Sequence, residues 1–164
     1  MRQKFIVVQS RLKLELENIH KLYEELETRK FLEKTQYRTA SLSDQFTLRA
    51  IESVLHDFYT SIENMFKIIA KQIDNTIPTD ADWHLELIQQ MATNISGIRP
   101  AAISNKTLQL INEYRGFRHI FRNIYGFNLI AERIERLLDI LKPTIESLEK
   151  DINEFSNSMN VLLS

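Results

Sequence analysis

Seven apolar residues set the first constraint on this chain's fold. Leu48, Ile51, Leu55, Phe58, Ile62, Met65 and Ile69 step 3-4-3-4-3-4. A strand repeats every second residue, so this spacing stays on one face only of an α-helix. The periodicity predicts a helix from about Asp44 to Asp74. Its stripe is a seam of the bundle or coiled-coil kind, which buries against one partner helix. A second stripe supplies that partner. Val8, Leu12, Leu16, Ile19, Tyr23 and Leu26 step 4-4-3-4-3 with Glu and Lys between, predicting a helix from Arg2 to about Lys34. The polar stretch Thr35–Ser43 breaks the pattern, and Ser43 or Asp44 caps the next helix. Two helices of similar length pair naturally as an antiparallel hairpin.

Asn75–Asp82, with Pro78, reads as a loop, and Asp80 or Asp82 caps a short helix through about Thr93. Asn94–Asn105 reads as an ordered connector, because Pro100 restrains Arg99 to extended conformations. Ser104 or Asn105 caps the next helix, which runs to about Tyr125 and ends at Gly126. Asn128 caps a last helix, Leu129 to about Leu162, which Pro143 is expected to kink or divide. No repeat, low-complexity tract or domain boundary interrupts residues 1–164, which read as one domain. The expected fold is all-α, an antiparallel bundle of four long helices plus a short one. Only three glycines and three prolines agree with that, since sheet proteins spend more of both on turns.

The absence of cysteine excludes disulfides and thiolate metal sites. The start, MRQKFIVVQSRLKLE, has too short an apolar run for a signal peptide, and no run approaches the ~20 residues of a membrane span. A cytoplasmic protein without membrane contact is expected. There is no Gly-rich phosphate loop and no Gly-x-Ser-x-Gly elbow. His20, His56, His84 and His119 are scattered, without metal-ligand spacing, so neither metal nor cofactor is expected. Asp82 and Glu86 can share a helix face, where such pairs are ordinarily solvated.

One segment stands apart. Tyr114–Phe127, YRGFRHIFRNIYGF, carries Arg115, Arg118, His119, Arg122, Asn123 and Tyr125, and no acidic residue occurs from Tyr114 to Ala131. At about 100° per residue, Arg115, Arg118, His119, Arg122 and Asn123 line one polar stripe, opposite Leu110, Tyr114, Phe117, Phe121 and Ile124. Concentrated arginine without counter-charge, in a chain of net charge −1, suits binding a phosphate backbone. An arginine-rich face is also often just a solvated face or a partner for Glu on a neighbouring helix. RNA cleavage without a metal needs a proton-transfer group, cations for the developing phosphorane charge, and placement. Arg118 and Arg122 can supply the cations through bidentate contacts. His119 is the one proton-transfer group of the segment that titrates near neutrality, whereas Asn123 only exchanges hydrogen bonds.

The segment YRGFRHIFRNIYGFNL resembles the signature of HEPN-domain proteins of the HepT-like group, an Arg-x4-His-x-Tyr motif on a late helix of a small bundle. Arg118 falls on the motif arginine and Tyr125 on the motif tyrosine, while Asn123 stands where the histidine is expected. LHDFYTSIENMFKIIAKQID, IPTDADWHLELIQQM and GIRP extend the resemblance in the same order. It implies a homodimer whose motif helices face each other across a cleft, with RNA as substrate and metal-independent endoribonuclease chemistry. It also implies a toxin–antitoxin pairing with a minimal nucleotidyltransferase that adds AMP to the motif tyrosine, here Tyr125. Asn123 leaves two outcomes open. His119, one turn earlier, takes over proton transfer while Asn123 positions a phosphate or water. Otherwise the protein binds RNA, nucleotide or the nucleotidyltransferase without cleavage. Arg99 is a further candidate phosphate contact, or a helix C-terminal cap. Glu63 is a candidate to orient Arg118, or a solvated residue, and Trp83 and His84 read as packing residues at a bundle end.

Overall fold

The stripe from Val8 to Leu26 folds as α1 (Arg2–Thr28), which buries Phe5, Val8, Leu12, Leu16, Ile19 and Leu26. In this computed structural model, the backbone is described for residues 1–121 and 127–164, and the side chains for 1–117 and 130–164. α1 ends short of the Lys34 expected. Lys30 turns into the left-handed region at φ 60°. Its N–H donates to the Glu27 carbonyl at 2.9 Å, and the Phe31 N–H to the Leu26 carbonyl at 3.0 Å. This paired closure satisfies the last carbonyls without a glycine, so no residue type announced it.

The polar stretch Thr35–Ser43, expected to be a break, contains a helix, α2 (Gln36–Leu42), capped by the Thr35 hydroxyl. Its inward residues are Arg38 and Leu42. The Arg38 guanidinium is fully buried and donates to Asp139 at 2.8 Å and Glu135 at 3.1 Å.

α3 (Gln45–Ile69) starts at Asp44, whose carboxylate accepts from the Thr47 N–H at 2.9 Å. All seven seam residues are buried, but so are Glu52, Tyr59, Ser61, Glu63, Phe66 and Ile68. The single-partner expectation therefore fails: α3 is the central helix and packs against α1 and every later helix as well as α2. A π-helical turn, Ala70–Asp74, widens its end, and Asn75 closes it in the left-handed region at φ 54°.

α4 (Trp83–Met91) buries Leu87, Ile88 and Met91. The connector after it turns at Gly97, whose φ of 76° favours glycine. α5 spans Asn105–Phe121 and α6 spans Phe127–Leu162. Pro143 does not divide α6. Its ring lies on the exposed side, and the next residue's hydroxyl, Thr144, donates to the Ile140 carbonyl at 2.6 Å.

α1 runs antiparallel to both α3 and α6. Phe5 meets Phe155 edge-on at 6.2 Å, while His20 reaches Glu149 at 3.2 Å. Arg11 and Glu15 of α1 share a groove with Asn64, Lys67 and Lys71, and the start of α1 shares an apolar cavity with residues 72–75. Among the described residues the fold is six helices and no strand, an all-α bundle with α2 added to the expected four long helices and one short.

Candidate functional site

The arginine-bearing helix α5 is fixed at its start. Ser104 caps it, its hydroxyl accepting from the Thr107 N–H at 3.3 Å. Ser104 is held in turn by Asp151 of α6, which accepts from its N–H at 2.7 Å and its hydroxyl at 2.8 Å. The Thr107 hydroxyl also donates to Asp151 and meets the Ser147 hydroxyl at 2.6 Å.

The inward face of α5 is Thr107, Ile111, Tyr114 and Phe117. Ile111 replaces Leu110 on that face, and Leu110 is only half-buried. Tyr114 lies edge-on to Phe58 at 4.9 Å, and its hydroxyl donates to the Leu137 carbonyl of α6 at 2.7 Å. Burial pushes its phenol well above its ordinary pKa and keeps it neutral.

The next face of α5 is polar. Arg115 is half-buried and donates from Nε to the Asn112 side-chain oxygen at 2.6 Å. Glu113 holds two arginines of α6, Arg133 at 3.5 Å and Arg136 at 3.4 Å. Gly116 lies under the Arg133 guanidinium: a Cβ added there would stand 3.4 Å from Nη2. Arg133 and Arg136 carry no signal of this placement in the sequence. They stand in AERIER, where alternating Glu and Arg look self-neutralised, and only the α5/α6 contact turns them toward the motif helix.

The expectations for Arg118, His119, Arg122, Asn123 and Tyr125 fall outside the described residues, apart from the α5 backbone at Arg118 and His119.

Arg99 is not a phosphate contact. Its side chain is 0% exposed and clamps the buried Asp74, from Nε at 2.6 Å and Nη2 at 2.8 Å. Its remaining bonds go to the carbonyls of Gln90 at 3.0 Å, Thr93 at 3.1 Å and Pro100 at 3.0 Å. Two of those carbonyls close the end of α4, so Arg99 takes the capping role.

Glu63 is not on a solvated face. Its side chain is 6% exposed, 3.1 Å from His84 Nδ1 and 3.7 Å from Lys67. Lys67 sits 4.4 Å above the Trp83 ring. Trp83 and His84 thus pack the start of α4 onto α3. Among the described residues no group of His, Asp or Glu has the arrangement to hold a metal ion. None of the described helices is long and apolar enough to cross a membrane.

The family model of HepT-like proteins matches residues 50–159, more than half of the chain. The protein belongs to the HepT-like family. No curated protein and no solved structure matches it. In this HepT-like, HEPN-type protein the family match runs from within α3 to within α6, so it includes the arginine-bearing helix α5 and all or most of the three helices that pack against it, α3, α4 and α6.

Proposed function

We propose that this HepT-like protein is a metal-independent endoribonuclease, the toxin of a toxin–antitoxin pair, and that it binds RNA on the outward face of α5. One observation carries the reading. Arg133 and Arg136 of α6 share the carboxylate Glu113, and Arg115 bonds the neutral Asn112, at the start of a sequence segment that has no acid from Tyr114 to Ala131. A surplus of guanidinium groups on a helix anchored at its base suits an RNA backbone.

In this reading Arg118 and Arg122 stabilise charge on the equatorial phosphoryl oxygens. His119 takes the proton of the 2′-hydroxyl, whose oxygen attacks the adjacent phosphorus. The 5′-oxygen leaves and receives that proton, giving a 2′,3′-cyclic phosphate and a 5′-hydroxyl. Asn123 orients the scissile phosphate by hydrogen bonds. Two copies place their α5 faces across a shared cleft as a homodimer in the cytoplasm. A minimal nucleotidyltransferase acts as antitoxin by adding AMP to Tyr125.

Asn123, in place of the motif histidine, favours a second reading: a HEPN module that binds the nucleotidyltransferase, nucleotide or RNA without cutting. Loss of a general acid–base group costs a factor of about 10²–10⁴ in rate. The deciding experiment is cleavage of end-labelled RNA by the purified protein in the presence of chelator. The nuclease reading expects cyclic-phosphate products from the wild type and none from His119→Ala. Binding without products, equal for both proteins, leaves the module reading.

A further inference from the structure

We infer that Arg133 of α6, which lies against α5 at Gly116, is a phosphate-binding residue of this same face. This rests on the RNA-binding reading of α5.

Gly116 lies inside a helix, where glycine is a weak residue. Nothing in its backbone asks for glycine, since the one glycine at positive φ among those described is Gly97. A Cβ there would stand 3.4 Å from Arg133 Nη2, so the guanidinium lies in contact range of this turn of α5.

The way Arg133 is held is unlike that of a structural arginine. Arg99 is sealed from solvent and engages all three guanidinium nitrogens. The Arg133 side chain is 31% exposed, and its carboxylate partner, Glu113, stands 3.5 Å from Nη2 while also serving Arg136. The Arg133 Nε is buried and without a hydrogen-bond acceptor among the described residues, as is that of the structural Arg38, so Nε does not set Arg133 apart. Its two Nη groups make a fork that fits two oxygens of a phosphodiester, a geometry guanidinium groups favour. Gly116 stands between Arg115 and Arg118 in the sequence, so Arg133 adds a cation from a second helix to the arginines of α5. RNA then lies along the α5/α6 groove. Glu113 is the stand-in anion that phosphate displaces.

The test is the affinity of a single-stranded oligoribonucleotide, read by fluorescence anisotropy across a salt series, with circular dichroism confirming each fold. Arg133→Gln should weaken binding roughly tenfold and reduce the log–log salt slope by nearly one, as for one lost phosphate contact. Arg133→Lys should keep the slope and lose part of the affinity, because the charge stays and the fork goes. Glu113→Gln should tighten binding several-fold, a gain that misfolding does not produce. If Arg118→Ala weakens binding while Arg133→Gln leaves affinity and slope unchanged, Arg133 is only a helix tie and the inference is overturned. Weaker binding by Glu113→Gln overturns it as well. A wild-type protein that binds no RNA removes both this inference and the reading beneath it.

Discussion

Arg99 and Asp74 meet fork to fork, Nε to Oδ1 at 2.6 Å and Nη2 to Oδ2 at 2.8 Å, 25 residues apart in sequence and almost wholly buried. The pair ties the π-helical turn after α3 to the end of α4. Gln90 joins it, donating from its amide to Asp74 at 2.6 Å and to the Thr76 carbonyl at 3.1 Å. Replacing Asp74 by alanine strands a buried guanidinium, an error that costs about 3–5 kcal/mol. Urea denaturation of Asp74→Ala should show that loss. Arg99→Lys should also lower the midpoint, yet its RNA salt slope should match the wild type.

Glu52 gives the fold a pH dependence of unusual sign. Burial raises its pKa from 4.5 to about 7, against a smaller lowering by Arg49. Between those values the folded protein binds more protons than the unfolded chain, so this carboxyl's contribution to stability falls as pH rises and levels off above about 7. Glu52→Gln should melt close to the wild type near pH 4 and above it at pH 8. A melting difference that does not change between those pH values would contradict this.

Tyr114→Phe removes the hydroxyl bonded to the Leu137 carbonyl and little else. The expected loss is about 1 kcal/mol, or a melting temperature lower by about 2–4 °C. RNA affinity of the folded variant should be unchanged, because this ring faces the core.

Asp151→Ala should loosen the first turn of α5, where one carboxylate oxygen serves both groups of Ser104 and the Thr107 hydroxyl. A lost cap of this kind costs about 0.5–2 kcal/mol. Hydrogen exchange should accelerate most at the amides of Asn105–Leu108, and less at Tyr114.

Tyr125 provides the test of the antitoxin pairing. Incubation with the cognate nucleotidyltransferase and ATP should add one AMP mass to the wild type and none to Tyr125→Phe. A gain that survives the substitution would place the modification elsewhere.

The parts of the fold legible in the sequence are those that hydrophobic periodicity reports directly. The stripe from Val8 to Leu26, apart from the partly buried Tyr23, and the seam from Leu48 to Ile69 lie in the core, where their spacing put them. What periodicity cannot report is polar burial, because its cause is a partner elsewhere in the chain. α2 was hidden because it is one short helix and its innermost side chain is Arg38. The acids that make Arg38 tolerable inside lie 97 and 101 residues later, at Glu135 and Asp139. Glu63 looked solvated until α4 brought His84 to it. Arg99 was correctly framed by Pro100, but Asp74 decides between its two roles. The candidate site was half legible. The acid-free arginine segment is visible in one dimension. Gly116 in the same segment carried no message until Arg133 was seen lying over it.

The ties between α5 and α6 recur along their shared length: Ser104 and Thr107 to Asp151, Thr107 to Ser147, Tyr114 to Leu137, and Glu113 to Arg133 and Arg136. Two helices pinned at so many stations behave as one plank rather than as a hinged pair. Tilting the arginine face away from a bound strand would mean tearing several of these pins at once. On the proposed reading, silencing this protein is therefore a matter of covering or chemically marking its arginines, not of swinging a helix, and the proposed antitoxin needs no conformational lever at all.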